Sequence, residues 1–219
     1  MRDFDPRHVG SSFDDFLQEE GILEEVTAMA TARQPVWVSE ADYLAGEVTA
    51  EVRHEYIDGQ IYAMSGASNN HNLIAGNMYA AFHAHLKGKP CRAYMSDMQV
   101  KVGSKYFYPD VMVDCSALGG DSRLTEAPVI LVEVLSKSTR MTDKNIKRMA
   151  YTQIASLEAY ILIEQDTAEV EVLRRSTGWQ PHYYYLGDDI VLENIGLTIA
   201  VEELYDRVQN ADITAWLEG

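Results

Sequence analysis

The stretch that decides the fold is residues 129–135, VILVEVL, in which Glu133 alone interrupts a run of apolar side chains. Continuous apolar runs of this length are typical of central strands that are covered on both faces. An isolated carboxylate there would cost several kcal/mol or would stay protonated. Glu133 therefore needs a salt bridge, a network of backbone hydrogen bonds or a bound cation. The strand alone favours a structural pairing, since buried ion pairs are common enough.

A second strand carries a carboxylate in the same setting. Residues 106–113 are mostly apolar and β-prone, and Asp110 lies among them directly after Pro109. Because proline offers no backbone donor, we expect the sheet to be irregular at this point. Two acids on consecutive strands could face one point and share a hard cation such as Mg²⁺, whereas without a cation they would repel each other. Together the two strands favour a metal site over a structural ion pair.

The patterns around these strands indicate an α/β fold. Asp58-Gly59 lies between two short strand patterns and predicts a tight hairpin. Apolar residues at helical spacing predict a long helix that opens at Ser68 or Asn69 and ends near Lys87. A further helix is predicted over about 143–155. The order of these elements predicts a central mixed β-sheet flanked by helices on both faces.

The helix predicted after the Glu133 strand carries a polar stripe. Asp143, Lys147 and Tyr151 are spaced i, i+4 and i+8, so they share one face, beside an apolar face that includes Ile146 and Met149. On spacing alone, a solvated Asp143–Lys147 pair worth a few tenths of a kcal/mol is slightly favoured over a catalytic role.

Charge and hydropathy narrow the classes of function. The chain has 219 residues, 34 acidic against 18 basic side chains, and a formal net charge of −16. That excess argues against a general nucleic-acid binder, which needs basic surface for phosphates. It does not exclude a nuclease, because metal-binding carboxylates add negative charge where a cation is to lie. No apolar run is long enough to cross a membrane, and the N-terminus does not have the pattern of a secretory signal.

The cysteines give a prediction about compartment. Cys91 and Cys115 lie far apart in the sequence and lack the CxxC spacing of a zinc site. We expect neither a zinc site nor a disulfide, and the reducing cytoplasm is the expected compartment.

The first 34 residues differ in composition from the rest of the chain. Their one ordered-looking element is a short helix predicted over 22–33. The stretch 10–28 resembles the leader that precedes the helix-turn-helix of small bacterial antitoxins, although no helix-turn-helix follows. We therefore divide the chain into an N-terminal appendage, 1–34, and one domain, 35–219.

Several segments, in order and in spacing, resemble the Uma2 family of bacterial proteins. They are residues 54–66 (HEYIDGQIYAMSG), His71-Asn72, residues 108–111 (YPDV), residues 132–139 (VEVLSKST), and then Asp143, Lys147 and Tyr151. The resemblance covers about residues 36–208. The family was long described as a domain of unknown function and is grouped with the PD-(D/E)XK nuclease superfamily. The resemblance therefore implies a restriction-endonuclease-like core.

The resemblance also implies an activity and a set of site residues. A protein of this kind would be an endonuclease that uses Mg²⁺ or Mn²⁺ to hydrolyse DNA. Asp110 would be the first acid of the motif and Glu133 the second, and both would bind the metal. Glu55 on the hairpin matches the additional acid of the family, which would bind the same metal or a second ion. Restriction-like nucleases are often homodimers, so a homodimer is expected.

The sequence departs from the superfamily pattern at the lysine of the motif. Two residues after Glu133 stands Leu135. Lys147 is the family-matching replacement from the next helix, and Lys137 is a weaker candidate. The displaced lysine and the acidic net charge favour an alternative, a non-catalytic nuclease-fold protein with an assembly or regulatory role. An acid–base enzyme acting on a small acid ranks last, because no cofactor motif accompanies it.

His71 also matches the family, near the start of the predicted long helix. The alternative for His71 is a histidine that is hydrogen-bonded to backbone at the start of a helix. The residues alone leave both interpretations open.

A chain that begins at Pro35 is expected to fold with the stability of the full chain, because residues 1–34 contain few apolar side chains and add little to the core. Chemical denaturation of both chains measures this, and their unfolding free energies should agree within about 0.5 kcal/mol. Failure of the shorter chain to fold, with the full chain stable, would contradict the division of the chain.

Overall fold

The computed structural model describes residues 37–64 and 66–218. The appendage expected over 1–34 lies outside these residues, so the division of the chain at that point stays a prediction. One compact unit comprises Ser39–Gly219. No helix in the described ranges is long and apolar enough to cross a membrane.

The described residues form thirteen strands. In chain order they are β1 (His54–Ile57), β2 (Gln60–Ala63), β3 (Arg92–Met95), β4 (Gln99–Val102), β5 (Lys105–Phe107), β6 (Val111–Asp114), β7 (Leu124–Thr125), β8 (Pro128–Leu135), β9 (Ala159–Glu164), β10 (Glu169–Arg174), β11 (Pro181–Tyr185), β12 (Asp189–Leu192) and β13 (Leu197–Ala200). Six of them build the central sheet in the order β11-β10-β9-β8-β6-β3. In this sheet β8 and β9 are parallel and the other neighbours are antiparallel, so the central sheet is mixed, as predicted.

A second sheet has the order β2-β1-β5-β4-β7, and β12 pairs with β13 in a small sheet of its own. The β1–β2 hairpin turns at Asp58 and Gly59, which both have left-handed backbones, with φ of 47° and 95°. Aspartate tolerates this conformation, and glycine adopts it without a steric penalty. The hairpin predicted at this dipeptide is therefore confirmed.

Helices cover both faces of the central sheet. The described helices are α1 (Glu40–Glu47), α2 (Asn69–Leu86), a π-helix (Thr142–Lys147) that continues into α3 (Arg148–Tyr151), a 3-10 helix (Arg175–Thr177), α4 (Val201–Leu204) and α5 (Ala211–Glu218). α2 is the predicted long helix. The Ser68 hydroxyl caps it by accepting a hydrogen bond from the backbone N–H of His71 at 3.1 Å. The π-helix and α3 stand where one longer helix was predicted.

The alternation of side chains along β8 sets the direction in which Glu133 points. Alternate β8 residues belong to the core that also contains side chains of α2, namely Ile130, Val132 and Val134. Leu131 and Leu135 belong to a second core, which includes Tyr151 of α3. Because successive side chains of a strand point to opposite faces, Glu133 points toward this second core.

The strand predicted over 106–113 is two strands. β5 ends at Phe107 in the second sheet, and β6 begins at Val111 in the central sheet. Pro109 between them has no N–H to contribute to a ladder, and the chain passes from one sheet to the other at this point. The prediction of one strand is therefore wrong, and Asp110 lies at the crossing between the two sheets.

Cys91 and Cys115 form a disulfide, so the prediction that they stay unpaired is wrong. β3 and β6 are antiparallel neighbours in which Arg92 pairs with Asp114. The cysteines are the next positions along these two strands, and their Cα atoms are 3.8 Å apart. β3 was not predicted from the sequence, so nothing placed the two cysteines opposite each other. The cytoplasmic compartment stays a prediction, without the support of unpaired cysteines.

Reduction of this disulfide is expected to destabilise the protein by about 3 kcal/mol, because the bond joins residues 24 positions apart and so closes a loop in the unfolded chain. Denaturation with and without a thiol reductant measures the difference. The Cys115→Ser variant, which has no bond to break, is the control and should not respond to the reductant. Equal midpoints for the native chain in both conditions would contradict the expectation.

Candidate active site

A cleft of about 640 Å³ lies at the carboxyl end of β8, where the β1–β2 hairpin, the start of α2 and the π-helix meet. The four site residues predicted from the sequence all line this cleft: Glu55, Asp110, Glu133 and Lys147. Asp143 of the π-helix lines it as well. Residues that are far apart in the sequence therefore border one cavity.

Asp110 and Glu133 lie opposite each other at the edge of the cleft. β6 and β8 are adjacent antiparallel strands in which Val111 pairs with Val132, so Asp110, one position earlier, falls opposite Glu133. The backbone N–H of Val134 donates a hydrogen bond of 2.7 Å to Asp110 Oδ2. This bond holds the Asp110 side chain beside the strand that carries Glu133.

Glu133 is buried with only 3% of its surface exposed. Its Oε1 accepts hydrogen bonds of 3.0 Å from Lys147 Nζ and from the Tyr151 hydroxyl. Burial raises the pKa of Glu133 well above its usual range, and although Lys147 opposes the rise, the negative charge of Asp143 adds to it. The structure therefore supplies the ionic partner that this carboxylate requires.

Lys147 connects three acids. Its Nζ lies 2.8 Å from Glu55 Oε1, 3.0 Å from Glu133 Oε1 and 3.2 Å from Asp143 Oδ1, and the residue is 4% exposed. Burial alone would favour the neutral amine, but Glu133 and the other acids outweigh it, so the pKa of Lys147 is raised well above its usual range. One ammonium group thus faces three carboxylates, and the cluster has an excess of negative charge.

The π-helix and α3 present the polar stripe to the inside of the protein. Asp143, Lys147 and Tyr151 are all buried. Of the apolar residues beside this stripe, Ala150 and Ile154 are buried as well, whereas Ile146 and Met149 are exposed. The interpretation of Asp143 and Lys147 as a solvated pair is therefore wrong. The physical reason is the buried carboxylate on β8, which needs donors from the element packed over it.

Glu55 is held in place by groups that were not predicted from the sequence. Its Oε1 accepts a hydrogen bond of 3.2 Å from the backbone N–H of Tyr108, just before the crossing between the sheets. The Tyr108 hydroxyl donates to Glu47 Oε1 at 3.0 Å, and the same oxygen accepts from the backbone N–H of His54 at 2.9 Å. Burial raises the pKa of Tyr108, which therefore stays a neutral donor.

His71 contacts an acid of the site. Its Nε2 lies 3.3 Å from Asp110 Oδ2. Burial opposes protonation, but the hydrogen bond to Asp110 and the negative charges of Asp110 and Asp143 together outweigh it, so the pKa of His71 is raised. Nδ1 is buried without a hydrogen-bond partner. The role of His71 stays a prediction.

The Mg²⁺ site expected at these acids stays a prediction. In the described ranges, no group of three histidine, cysteine or acidic side chains is arranged to hold a metal. Mg²⁺ is usually bound by one or two carboxylates, together with water and substrate oxygens. Asp110 and Glu133, which lie opposite each other on neighbouring strands, are the two acids that could take this role. The Oδ1 atom of Asp143 is buried without a directed hydrogen bond, consistent with a cluster that is short of positive charge.

The structure distinguishes the two lysines that could replace the missing lysine of the motif. Leu135 is buried in the second core, and Lys137 is exposed and does not line the cleft. Of the two candidate lysines, only Lys147 contacts the acids.

Residues 40–202 match the model of the Uma2 family, which is described as "Putative restriction endonuclease". The chain belongs to the Uma2 family. Two proteins of the cyanobacterium Synechocystis sp. are similar to it. "Uncharacterized protein slr1290" is 34% identical over 173 residues, which are 77% of this chain and 91% of that protein. "Uncharacterized protein sll1609" is 33% identical over 153 residues, which are 68% of this chain and 81% of that protein.

A solved structure supports the fold of this Uma2 protein. It is described as a "putative nuclease belonging to DUF820" from Anabaena variabilis, and it superimposes with a TM-score of 0.67 over 78% of this chain and 99% of its own. At 18% identity the likeness concerns the fold alone. The restriction-endonuclease-like α/β fold predicted from the sequence is confirmed.

Lys147→Met is expected to destabilise the protein by about 3–5 kcal/mol at pH 7, because it leaves buried carboxylates without a counter-charge. The loss should shrink as the pH is lowered, because the pKa of Glu133 is raised by burial and a protonated Glu133 no longer needs the ammonium group. Urea denaturation at pH 7 and at lower pH measures both effects.

Lys137→Met is the matched control, because Lys137 is an exposed lysine ten positions earlier in the sequence. Its effect should stay within about 0.5 kcal/mol. A loss for Lys147→Met that is the same at both pH values would contradict the charge argument.

Proposed function

We propose that this Uma2 protein is a Mg²⁺-dependent endonuclease that hydrolyses phosphodiester bonds of DNA. The observation that carries the proposal is the convergence of Glu55, Asp110, Glu133 and Lys147 on one cleft. The description of the family and that of the similar solved structure support a nuclease-like function. The expected homodimer stays a prediction.

Asp110 and Glu133 would hold the metal. When bound, Mg²⁺ acts as a Lewis acid on a phosphate oxygen and lowers the pKa of a bound water. The excess of negative charge around Lys147 favours an additional cation at these acids.

Lys147 would act on the phosphate. Its ammonium group is fixed by Glu55 and Glu133 at the wall of the cleft, so it is oriented before the substrate arrives. A preorientated positive charge stabilises the negative charge that develops on the phosphoryl oxygens in the transition state. Glu55 and Tyr151 have positioning roles, because both contact the Glu133–Lys147 pair.

The reaction is a hydrolysis that balances without another reactant. The oxygen of a water molecule forms a bond to phosphorus, and the bond from phosphorus to the leaving oxygen breaks. The attacking water loses one proton, and the leaving oxygen takes up a proton. The products are a phosphomonoester and an alcohol.

A non-catalytic role of the same fold is the second candidate. It is favoured by the charge of the cleft, in which Lys147 is the one lysine or arginine among the described lining residues. A surface that binds a long polyanion usually carries many such side chains. A folded protein that neither binds Mg²⁺ nor hydrolyses a phosphodiester would favour this second role.

Mg²⁺ or Mn²⁺ is expected to raise the melting temperature, because a ligand that binds only the native state stabilises it, by about 2.7 kcal/mol at a hundred times its Kd. Glu133→Gln should abolish this gain, and the Lys147 ammonium group keeps Glu55 and Asp143 as its remaining partners in the variant. Hydrolysis of bis(p-nitrophenyl) phosphate should fall about 100-fold or more. Thermal melts and the colorimetric assay measure these outcomes.

Glu171→Gln is the matched control, because Glu171 is a similarly buried, ion-paired glutamate that does not line the cleft. It should keep the response to metal. A rise in melting temperature with metal that is the same in Glu133→Gln as in the native chain would contradict the metal-binding role of Glu133.

A further inference from the structure

The lining of the cleft contains two further kinds of side chain beyond its acids. Neutral hydroxyl and amide groups are provided by Ser68, Asn72, Ser136, Ser138, Thr139 and Thr142. Apolar and aromatic side chains are provided by Ile57, Tyr62, Met64, Met95 and Ile146. The hydroxyl and amide groups suit a sugar–phosphate unit, with which they can form hydrogen bonds. The apolar and aromatic side chains suit the flat face of a nucleobase.

Positive charge is scarce around the cleft. Lys147 is already surrounded by carboxylates. Arg140 and Lys144, to either side of Asp143 in the sequence, are paired with Glu164, which lies on the central sheet. A protein that binds a duplex neutralises several phosphates at once with lysine and arginine. Among the described residues that line this cleft, Lys147 is the one lysine or arginine, so its positive charge can neutralise about one phosphate.

The size of the cleft also argues against the binding of a duplex. A cavity of about 640 Å³ lies within the range of pockets that hold small molecules and cofactors, about 300–1,000 Å³. The β1–β2 hairpin forms part of its wall, through Glu55, Ile57 and Tyr62. The acids lie inside this cleft, which favours a strand whose nucleotides beside the scissile phosphate are unpaired.

Tyr62 provides a surface for stacking. Its side chain lines the cleft, and the residue is 46% exposed. Its hydroxyl donates a hydrogen bond of 2.6 Å to Gln60 Oε1, which holds the edge of the ring and leaves a face open. Bases stack on exposed aromatic rings regardless of their sequence, and this is a common way to bind single strands.

We propose that the cleft binds unpaired nucleotides, a single-stranded end or gap, rather than the interior of an intact duplex. The base stacks on Tyr62, and the sugar and its phosphate contact the hydroxyl and amide groups that line the cleft. Lys147 faces the scissile phosphate. The inference rests on the proposed hydrolysis. Water adds across one P–O bond of the unpaired strand, which leaves a phosphomonoester on one product and a hydroxyl on the other.

The first test compares DNA substrates for the full chain with Mg²⁺ or Mn²⁺. A single strand should be cut about 100-fold faster than covalently closed duplex DNA. From about 50 mM to about 200 mM salt, kcat/KM on the single strand should fall only about threefold, as for release of one counterion. Equal rates on both DNAs, or a fall of about 1,000-fold with salt, would overturn the inference.

Bis(p-nitrophenyl) phosphate separates this inference from the proposed function, because it contains a phosphodiester without nucleotides. Hydrolysis of this compound together with efficient cutting of closed duplex DNA overturns the inference and leaves the proposed function standing. No hydrolysis of the compound or of any DNA overturns both.

The second test is Tyr62→Ala, which should raise KM on the single strand about tenfold with little change in kcat. Tyr62→Phe should behave like the native protein, because the ring remains. Tyr183→Ala is the matched control, since Tyr183 is 47% exposed on β11 and does not line the cleft. Equal KM values for Tyr62→Ala and Tyr183→Ala would overturn the stacking role of Tyr62.

Discussion

The ion pair between Glu133 and Lys147 is the interaction on which the rest of the cleft depends. Glu133 interrupts an apolar strand, and its burial is tolerated because an ammonium group and the Tyr151 hydroxyl face it from the helix above. Two further ion pairs join this segment to the central sheet. Arg140, just before the π-helix, and Lys144, within it, both contact Glu164. The position of the π-helix is therefore set by charge as much as by apolar contact.

Two acids of the candidate site were predictable from the residues because each lies in an unusual place. Glu133 and Asp110 interrupt apolar runs, and the free-energy cost of burying such a carboxylate indicates by itself that a partner is present. Glu55 and Lys147 carry no such local signal, since an acid on a hairpin and a lysine on a helix are ordinary, and the family resemblance identified them. Glu47, which supports Tyr108, had no signal of either kind.

The wrong predictions concern contacts that are distant along the chain. β3 is only four residues long, too short to give a clear strand pattern, so neither the strand nor the Cys91–Cys115 bond that its register allows was foreseen. Half of the predicted apolar face is buried, through Ala150 and Ile154, whereas Ile146 and Met149 are exposed. Periodicity predicts which residues share a face of a helix, but it did not predict that the polar stripe would be buried beside Glu133, a carboxylate of another element.

Glu55 belongs to one sheet, and Glu133 belongs to the other. Asp110 stands on the short crossing between them, and Lys147 contacts an acid of each sheet. A chain in which only one of the two sheets has formed therefore has half of the cluster and no site. The order of events during folding is coupled to the chemistry, because the four residues come together only after both sheets have formed and docked.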